Sequence, residues 1–174
     1  GMSAGIFSLV QGGSRIVGEA LVTDPRIKAV GFTGSLAGGR ALYGLCASRP
    51  EPIPFFGELG SVNPMFVLPQ AAAARGADLG AGWAASLTMG AGQFCTNPGI
   101  AIVVDGKGAD AFVQSAAEGL EGVAEQTMLT HGIADAYRNG VRRVSEGAGV
   151  RSLLTTSCQG RNAAPYLFEV SASE

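Results

Sequence analysis

Short apolar runs alternate along this chain with stretches whose apolar residues recur at helical spacing. Ile6 to Val10 predicts a buried strand and Arg15 to Val22 a helix. Ala29 to Phe32 predicts the next strand, followed by a helix from Ser35 to about Ser48. Pro50, Pro52 and Pro54 then punctuate the chain. Short strands are expected at Phe55 to Glu58 and Met65 to Leu68, and an Ala- and Gly-rich helix from Ala71 to about Gly92. Ile100 to Val104 is the clearest strand because it is rich in β-branched residues. Amphipathic helices are expected over Ala109 to Leu120 and Ile133 to Glu146, with further strands at Val150 to Thr155 and Tyr166 to Val170. Strand–helix alternation of this kind implies an α/β fold with a largely parallel sheet and flanking helices. The segment Pro50 to Pro64 is the best candidate for a domain boundary.

Composition narrows the function classes. With 174 residues, 47% hydrophobic and 15% charged, the chain suits one domain or parts of two around a buried core. A formal net charge of −2 gives no sign of nucleic-acid or anionic-membrane partners. No apolar run approaches the about 20 residues that span a bilayer. The three cysteines, Cys46, Cys95 and Cys158, are widely spaced and form no CxxC pair, which argues against a disulfide framework or a metal site. A reducing cytoplasm is the simplest home for such thiols.

Several segments carry candidate chemistry. The strict dinucleotide fingerprint is absent, since Ser14 breaks Gly12-Gly13-Ser14. Phe32 to Arg40 is the better phosphate candidate, because it follows a strand and opens a helix whose free N–H groups favour an anion. Ser35 there is either a phosphate ligand or simply the helix N-cap. Cys95 lies between a helix and a strand in Gly92-Gln93-Phe94-Cys95-Thr96-Asn97-Pro98-Gly99. Such a junction exposes a thiol to backbone N–H groups that would stabilise a thiolate and an oxyanion. The alternative is an ordinary small apolar residue. Glu58, in the apolar stretch Phe56-Gly57-Glu58-Leu59-Gly60, is either a desolvated general base or a surface carboxylate at a strand end. His131, the only histidine, makes a Cys95–His131 hydrolase pair conceivable, although a helix-start or solvent role suits its neighbours better. Cys46 and Cys158 read as structural, Trp83 as core or pocket lining, and Arg138, Arg142 and Arg143 as a solvated helix face.

The order Phe32-Thr33-Gly34-Ser35, then Glu58-Leu59-Gly60, then Gly92-Gln93-Phe94-Cys95 resembles the aldehyde dehydrogenase superfamily over nearly the whole chain. The wording Glu58-Leu59-Gly60-Ser61-Val62-Asn63-Pro64 departs from that family's commoner Glu-Leu-Gly-Gly-Lys form. Together with Phe94 to Gly99 it resembles the branch that contains the α-ketoglutaric semialdehyde dehydrogenases. The resemblance implies residues 1–57 as the end of a Rossmann-like cofactor domain and 58–174 as the start of a catalytic domain. It implies Cys95 as nucleophile and Glu58 as the base for thioester hydrolysis. Thr33, Gly34, Ser35 and Gly39 would lie near the phosphates of NAD or NADP, and Leu59 and Gly60 near the nicotinamide. Phe94 and Thr96 would line a tunnel for a small-molecule aldehyde. It further implies a homo-oligomer for the intact enzyme. The chain would then be an internal piece that turns over no aldehyde alone, and Met2 need not be a start residue. A folded, non-catalytic α/β module is the reading from a different class.

Overall fold

A computed structural model describes residues 1 and 3–172, so the reading of Met2 lies outside the described residues. The chain divides into two units, Gly1–Gly60 and Ser61–Glu174.

The first unit is built on one strand–helix–strand crossover. Helix α1 spans Ile16–Thr23, strand β1 Val30–Gly34, helix α2 Leu36–Ala47 and strand β2 Phe55–Leu59. β1 and β2 run parallel with Val30 beside Phe55, Thr33 beside Glu58 and Gly34 beside Leu59. Alternation then sorts the side chains into two faces. Phe32, Phe55 and Leu59 turn towards α2, where Tyr43 meets Phe55 edge-on at 6.0 Å. Gly31, Thr33, Phe56 and Glu58 form the opposite, exposed face. Gly39 in α2 is buried because Leu59 occupies its side-chain space: a Cβ there would sit 2.0 Å from Leu59 Cδ2. The Arg49 guanidinium after α2 donates to the carbonyls of Val22 and Ile27 at 2.9 and 3.0 Å, which ties α1 to the same scaffold.

Ile6 to Val10 does not form the expected strand. Its apolar side chains are exposed and it pairs with no strand among the described residues, and a strand requires a ladder partner whatever its composition.

The second unit opens with another crossover. Strand β3 (Met65–Val67), helix α3 (Pro69–Thr88) and strand β4 (Ala101–Val103) lead to helix α4 (Ala109–Glu121). β3 and β4 are parallel, with Met65 beside Ala101. α3 breaks helical geometry at Arg75 (φ −152°, ψ 35°) and ends in a 3₁₀ turn, Met89–Gly92, so the expected single helix through Gly92 is divided. α3 and α4 lie close enough for backbones to touch through small residues. A Cβ on Gly76 would meet the Gly108 carbonyl oxygen at 2.3 Å, and one on Gly80 the Phe112 carbonyl oxygen at 2.3 Å. Val67, Ala72, Trp83, Ala84, Phe112, Ala116, Leu120 and Leu167 form the core beside this contact.

Strand β5 (Gln126–Thr127), helix α5 (His131–Ser145), strand β6 (Arg151–Leu154), strand β7 (Asn162–Ala163) and strand β8 (Leu167–Glu169) complete the chain. β5 pairs antiparallel with β7, and β6 with β8. A smaller core of Met128, Ala134 and Ala163, with Tyr137 and Cys158 against it, holds α5 in place. The fold is therefore α/β as expected. The described pairings comprise two parallel and two antiparallel strand pairs.

Candidate active site

In the first unit the candidate residues gather at the carboxyl ends of β1 and β2, the usual ligand-binding edge of a parallel sheet. Thr33 and Glu58 are register partners and share the exposed face. The Gly60 N–H donates to the Gly34 carbonyl at 2.9 Å, which continues the ladder past the strand end. Gly60 adopts φ +65°, a left-handed conformation that favours glycine. Ser35 N-caps α2: its Oγ accepts from the Gly38 N–H at 3.1 Å, and its carbonyl from the Gly39 N–H at 2.9 Å. The N–H groups of Leu36 and Ala37 are left at the helix end without an intrahelical acceptor.

Two details bear on these residues. Glu58 is exposed, as a surface carboxylate at a strand end would be, because its apolar neighbours Phe55 and Leu59 turn to the opposite face of the strand. Leu59 and Gly39 pack against each other, so both have a packing role whatever lies nearby.

In the second unit Cys95 is exposed, whereas Cys46 is buried and Cys158 half-buried. Cys95 is the second residue of a turn closed by the Asn97 N–H donating to the Phe94 carbonyl at 3.0 Å. Polar side chains fix this turn from several directions. Ser61 Oγ donates to the Cys95 carbonyl, and Asn63 Nδ2 donates to the same oxygen at 2.9 Å and to the Asn97 carbonyl at 3.0 Å. Asn97 Nδ2 donates to the Leu87 carbonyl at 2.7 Å, and Trp83 Nε1 to the Pro98 carbonyl at 2.8 Å. Among the described residues nothing accepts from the Cys95 N–H.

The approach to the turn is equally constrained. Gly90, Ala91 and Gly92 take φ values of 59°, 56° and 69°. A left-handed alanine costs about 1–2 kcal/mol. The Ala91 N–H donates to Gln126 Oε1 at 2.8 Å, which fixes the conformation. Gln93 Oε1 accepts from the Leu129 N–H at 2.9 Å. Phe94 and Thr96 are exposed beside the thiol. His131 is the first residue of α5, whose N-cap Thr130 accepts from the Ile133 N–H at 3.1 Å, and no hydrogen bond joins it to Cys95.

Sequence reasoning missed Ser61, Asn63, Asn97, Gln93 and Gln126. The signal for the first was the serine where the commoner wording has glycine. Gln93 and Asn97 stand in the Cys95 motif itself, but their partners Leu129 and Leu87 lie 36 and 10 residues away, and the bonds of Asn63 and Gln126 span 32 and 35 residues, so none leaves a local pattern.

An apolar cleft of about 710 Å³ lies behind the loop, bordered by Trp83, Leu87, Asn97, Phe112, Tyr137 and Leu167. Cys95 is not among its walls. The described residues contain no cluster of histidine, cysteine and carboxylate side chains that would hold a metal, and no helix long and apolar enough to cross a membrane.

The model of the aldehyde dehydrogenase family matches residues 1–132. The chain is 48% identical over 177 residues to α-ketoglutaric semialdehyde dehydrogenase 2 of Azospirillum brasilense, covering 99% of the chain and 33% of that protein. It is 39% identical to the α-ketoglutaric semialdehyde dehydrogenase of Acinetobacter baylyi, again over 99% of the chain and 33% of the relative. Among solved structures, it superposes on an NAD-dependent benzaldehyde dehydrogenase of Corynebacterium glutamicum with TM-score 0.80 at 23% identity, covering 99% of this chain and 39% of that one. An NADP-dependent glyceraldehyde-3-phosphate dehydrogenase of Bacillus halodurans gives TM-score 0.73 at 24% identity, covering 94% and 35%. The chain thus spans about a third of the length of these curated relatives.

Proposed function

The chain belongs to the aldehyde dehydrogenase family, and from that premise we propose that it carries the nucleophile and the base of an enzyme that oxidises an aldehyde to a carboxylate. The observation that carries this reading is the exposed Cys95 on a turn whose flanking carbonyls are tied by side-chain donors. Identity of 48% to an α-ketoglutaric semialdehyde dehydrogenase supports that semialdehyde as the substrate.

The Cys95 sulfur bonds to the aldehyde carbon while the carbonyl π pair moves onto oxygen. The unpaired Cys95 N–H is the donor this loop offers the resulting oxyanion. A nicotinamide cofactor, NAD or NADP, supplies the hydride acceptor when bound. Loss of hydride from the bound carbon re-forms the C=O bond and leaves a thioester on Cys95. Glu58 takes a proton from water as the water oxygen attacks that thioester. The C–S bond then breaks, returning the thiolate and releasing the carboxylate.

The end of α2 fits an anionic cofactor group. Ser35 accepts the capping bond and keeps its own O–H to donate, beside the free N–H groups of Leu36 and Ala37. Thr33 and Gly34 complete that turn, with Gly39 one turn deeper and Leu59 and Gly60 at the adjoining strand end. Phe94 and Thr96 flank the thiol and would contact the aldehyde. Residues 1–57 are read as the end of the cofactor domain and 58–174 as the start of the catalytic domain. The intact enzyme is read as a cytoplasmic homo-oligomer.

The exposure of Glu58 and the span of a third of the relatives favour a second statement about the isolated chain: alone, it turns over no aldehyde. In a protein of the relatives' length, Cys95→Ala should abolish formation of reduced cofactor. Glu58→Gln should preserve an initial burst and slow the steady state. Stopped-flow absorbance of the reduced nicotinamide checks both. Unchanged rates in Glu58→Gln would remove the base from the scheme, and turnover by the purified 174-residue chain would refute its inactivity.

A further inference from the structure

We infer that Ser61 and Asn63 are positioning residues for the Cys95 thiol, acting as a two-point clamp on the peptide that follows it. The inference rests on the reading of Cys95 as nucleophile and names what holds that nucleophile in place.

The clamp follows from strand pairing. β3 and β4 are parallel neighbours, and the Met65 N–H donates to the Ile100 carbonyl at 2.9 Å just ahead of them. The segment entering β3, which carries Ser61 and Asn63, therefore runs beside the segment entering β4, which carries Cys95 to Gly99. Both lone pairs of the Cys95 carbonyl are used, one by Ser61 Oγ and one by Asn63 Nδ2. A carbonyl with two donors leaves its peptide plane little freedom to rotate. Asn63 also reaches the Asn97 carbonyl at 3.0 Å, so one amide spans the turn on the carboxyl side of the thiol. On the amino side Gln93 fastens the turn through the Leu129 N–H at 2.9 Å and the Gly90 carbonyl at 3.2 Å.

Ser61 and Asn63 are exposed and stand outside the hydrophobic core, so the clamp contributes orientation more than burial. Ser61 has no left-handed backbone, so glycine, the residue of the commoner wording, fits the position without strain. Ser61→Gly therefore removes the hydroxyl and, as glycine, loosens the local backbone. Attack geometry is sensitive to displacements of about 1 Å, which cost up to about a hundredfold in rate. Losing one of two donors leaves the other in place, so a smaller loss, about tenfold, is expected.

The test uses a full-length enzyme carrying this chain, with α-ketoglutaric semialdehyde and saturating nicotinamide cofactor. Ser61→Gly and Asn63→Ala should each slow the burst of reduced cofactor about tenfold while the cofactor dissociation constant stays within about twofold. Ser61→Thr, which retains the hydroxyl, should restore the burst. The buried Cys46 gauges folding: it should stay protected from iodoacetamide in every variant. If Asn63→Ala exposes Cys46, Ser61→Gly and its threonine counterpart decide the matter. A wild-type burst rate in Ser61→Gly, with activity still lost in Cys95→Ala, would overturn the clamp alone. Full activity in Cys95→Ala would overturn the nucleophile assignment instead.

Discussion

Individual side chains in this protein are set by what covers them. Tyr137 shows this away from the candidate site. It packs beside Cys158 and Tyr166, and its hydroxyl donates to the Ala164 carbonyl at 2.8 Å. Burial first, and then the neighbouring Cys158 and Tyr166, push its pKa up from 10.0 to about 12. A raised pKa means the folded state holds the phenolic proton more tightly than the unfolded state does. The associated stability is complete below about pH 10 and is lost as pH rises towards about 12. Urea midpoints measured across that window should fall, and Tyr137→Phe should flatten the fall while lowering stability at neutral pH through the lost hydrogen bond. An equally steep alkaline fall in Tyr137→Phe would assign the effect to other groups. Asp24 shows the opposite case: the Arg26 side chain and N–H bonded to it hold its carboxyl well below the usual carboxylate range.

Helix contact decides the behaviour of the elements. α3 presents Ala72, Gly76, Gly80 and Ala84 at four-residue spacing, and all four are buried. Gly80→Ala should destabilise the protein by about 1–3 kcal/mol, because its methyl must displace the α4 backbone at Phe112. Gly82 lies in open space on the same helix, so Gly82→Ala should stabilise by about 0.5–1 kcal/mol. Chemical denaturation of the pair checks the opposite signs. The helices α2, α4 and α5 and the strands β1 to β4 were legible in the sequence because each carries its own apolar rhythm or cap. β5 and β7 were not, since two residues make no period. The left-handed Ala91 was hidden too, as the bond from its N–H to Gln126 is a tertiary contact, and no residue pattern marks the kink at Arg75. At the candidate site, motif order indicated Cys95 and Glu58. The clamp on Cys95 was invisible because hydrogen bonds spanning 32 to 34 residues leave no spacing to read.

For the molecule as a whole, apolar surface left uncovered is the dominant property. Phe66 and Ile102, register partners on β3 and β4, are 65% and 45% exposed, with Leu68 and Val104 beyond them. Each described sheet has two strands, so every strand keeps one unpaired edge. Both features favour association, and the 174-residue chain should show a weight-average mass that rises with concentration in light scattering. A monomer at all concentrations would contradict this. The pairing of Thr33 with Glu58 reaches further. The two occupy one rung of a ladder, so a wedge driven beneath the first tilts the second. Under the roles proposed for Thr33 and Glu58, re-engineering the β1 end to accept a different dinucleotide would therefore disturb water activation as well, and such redesigns should be judged on deacylation rate alongside affinity.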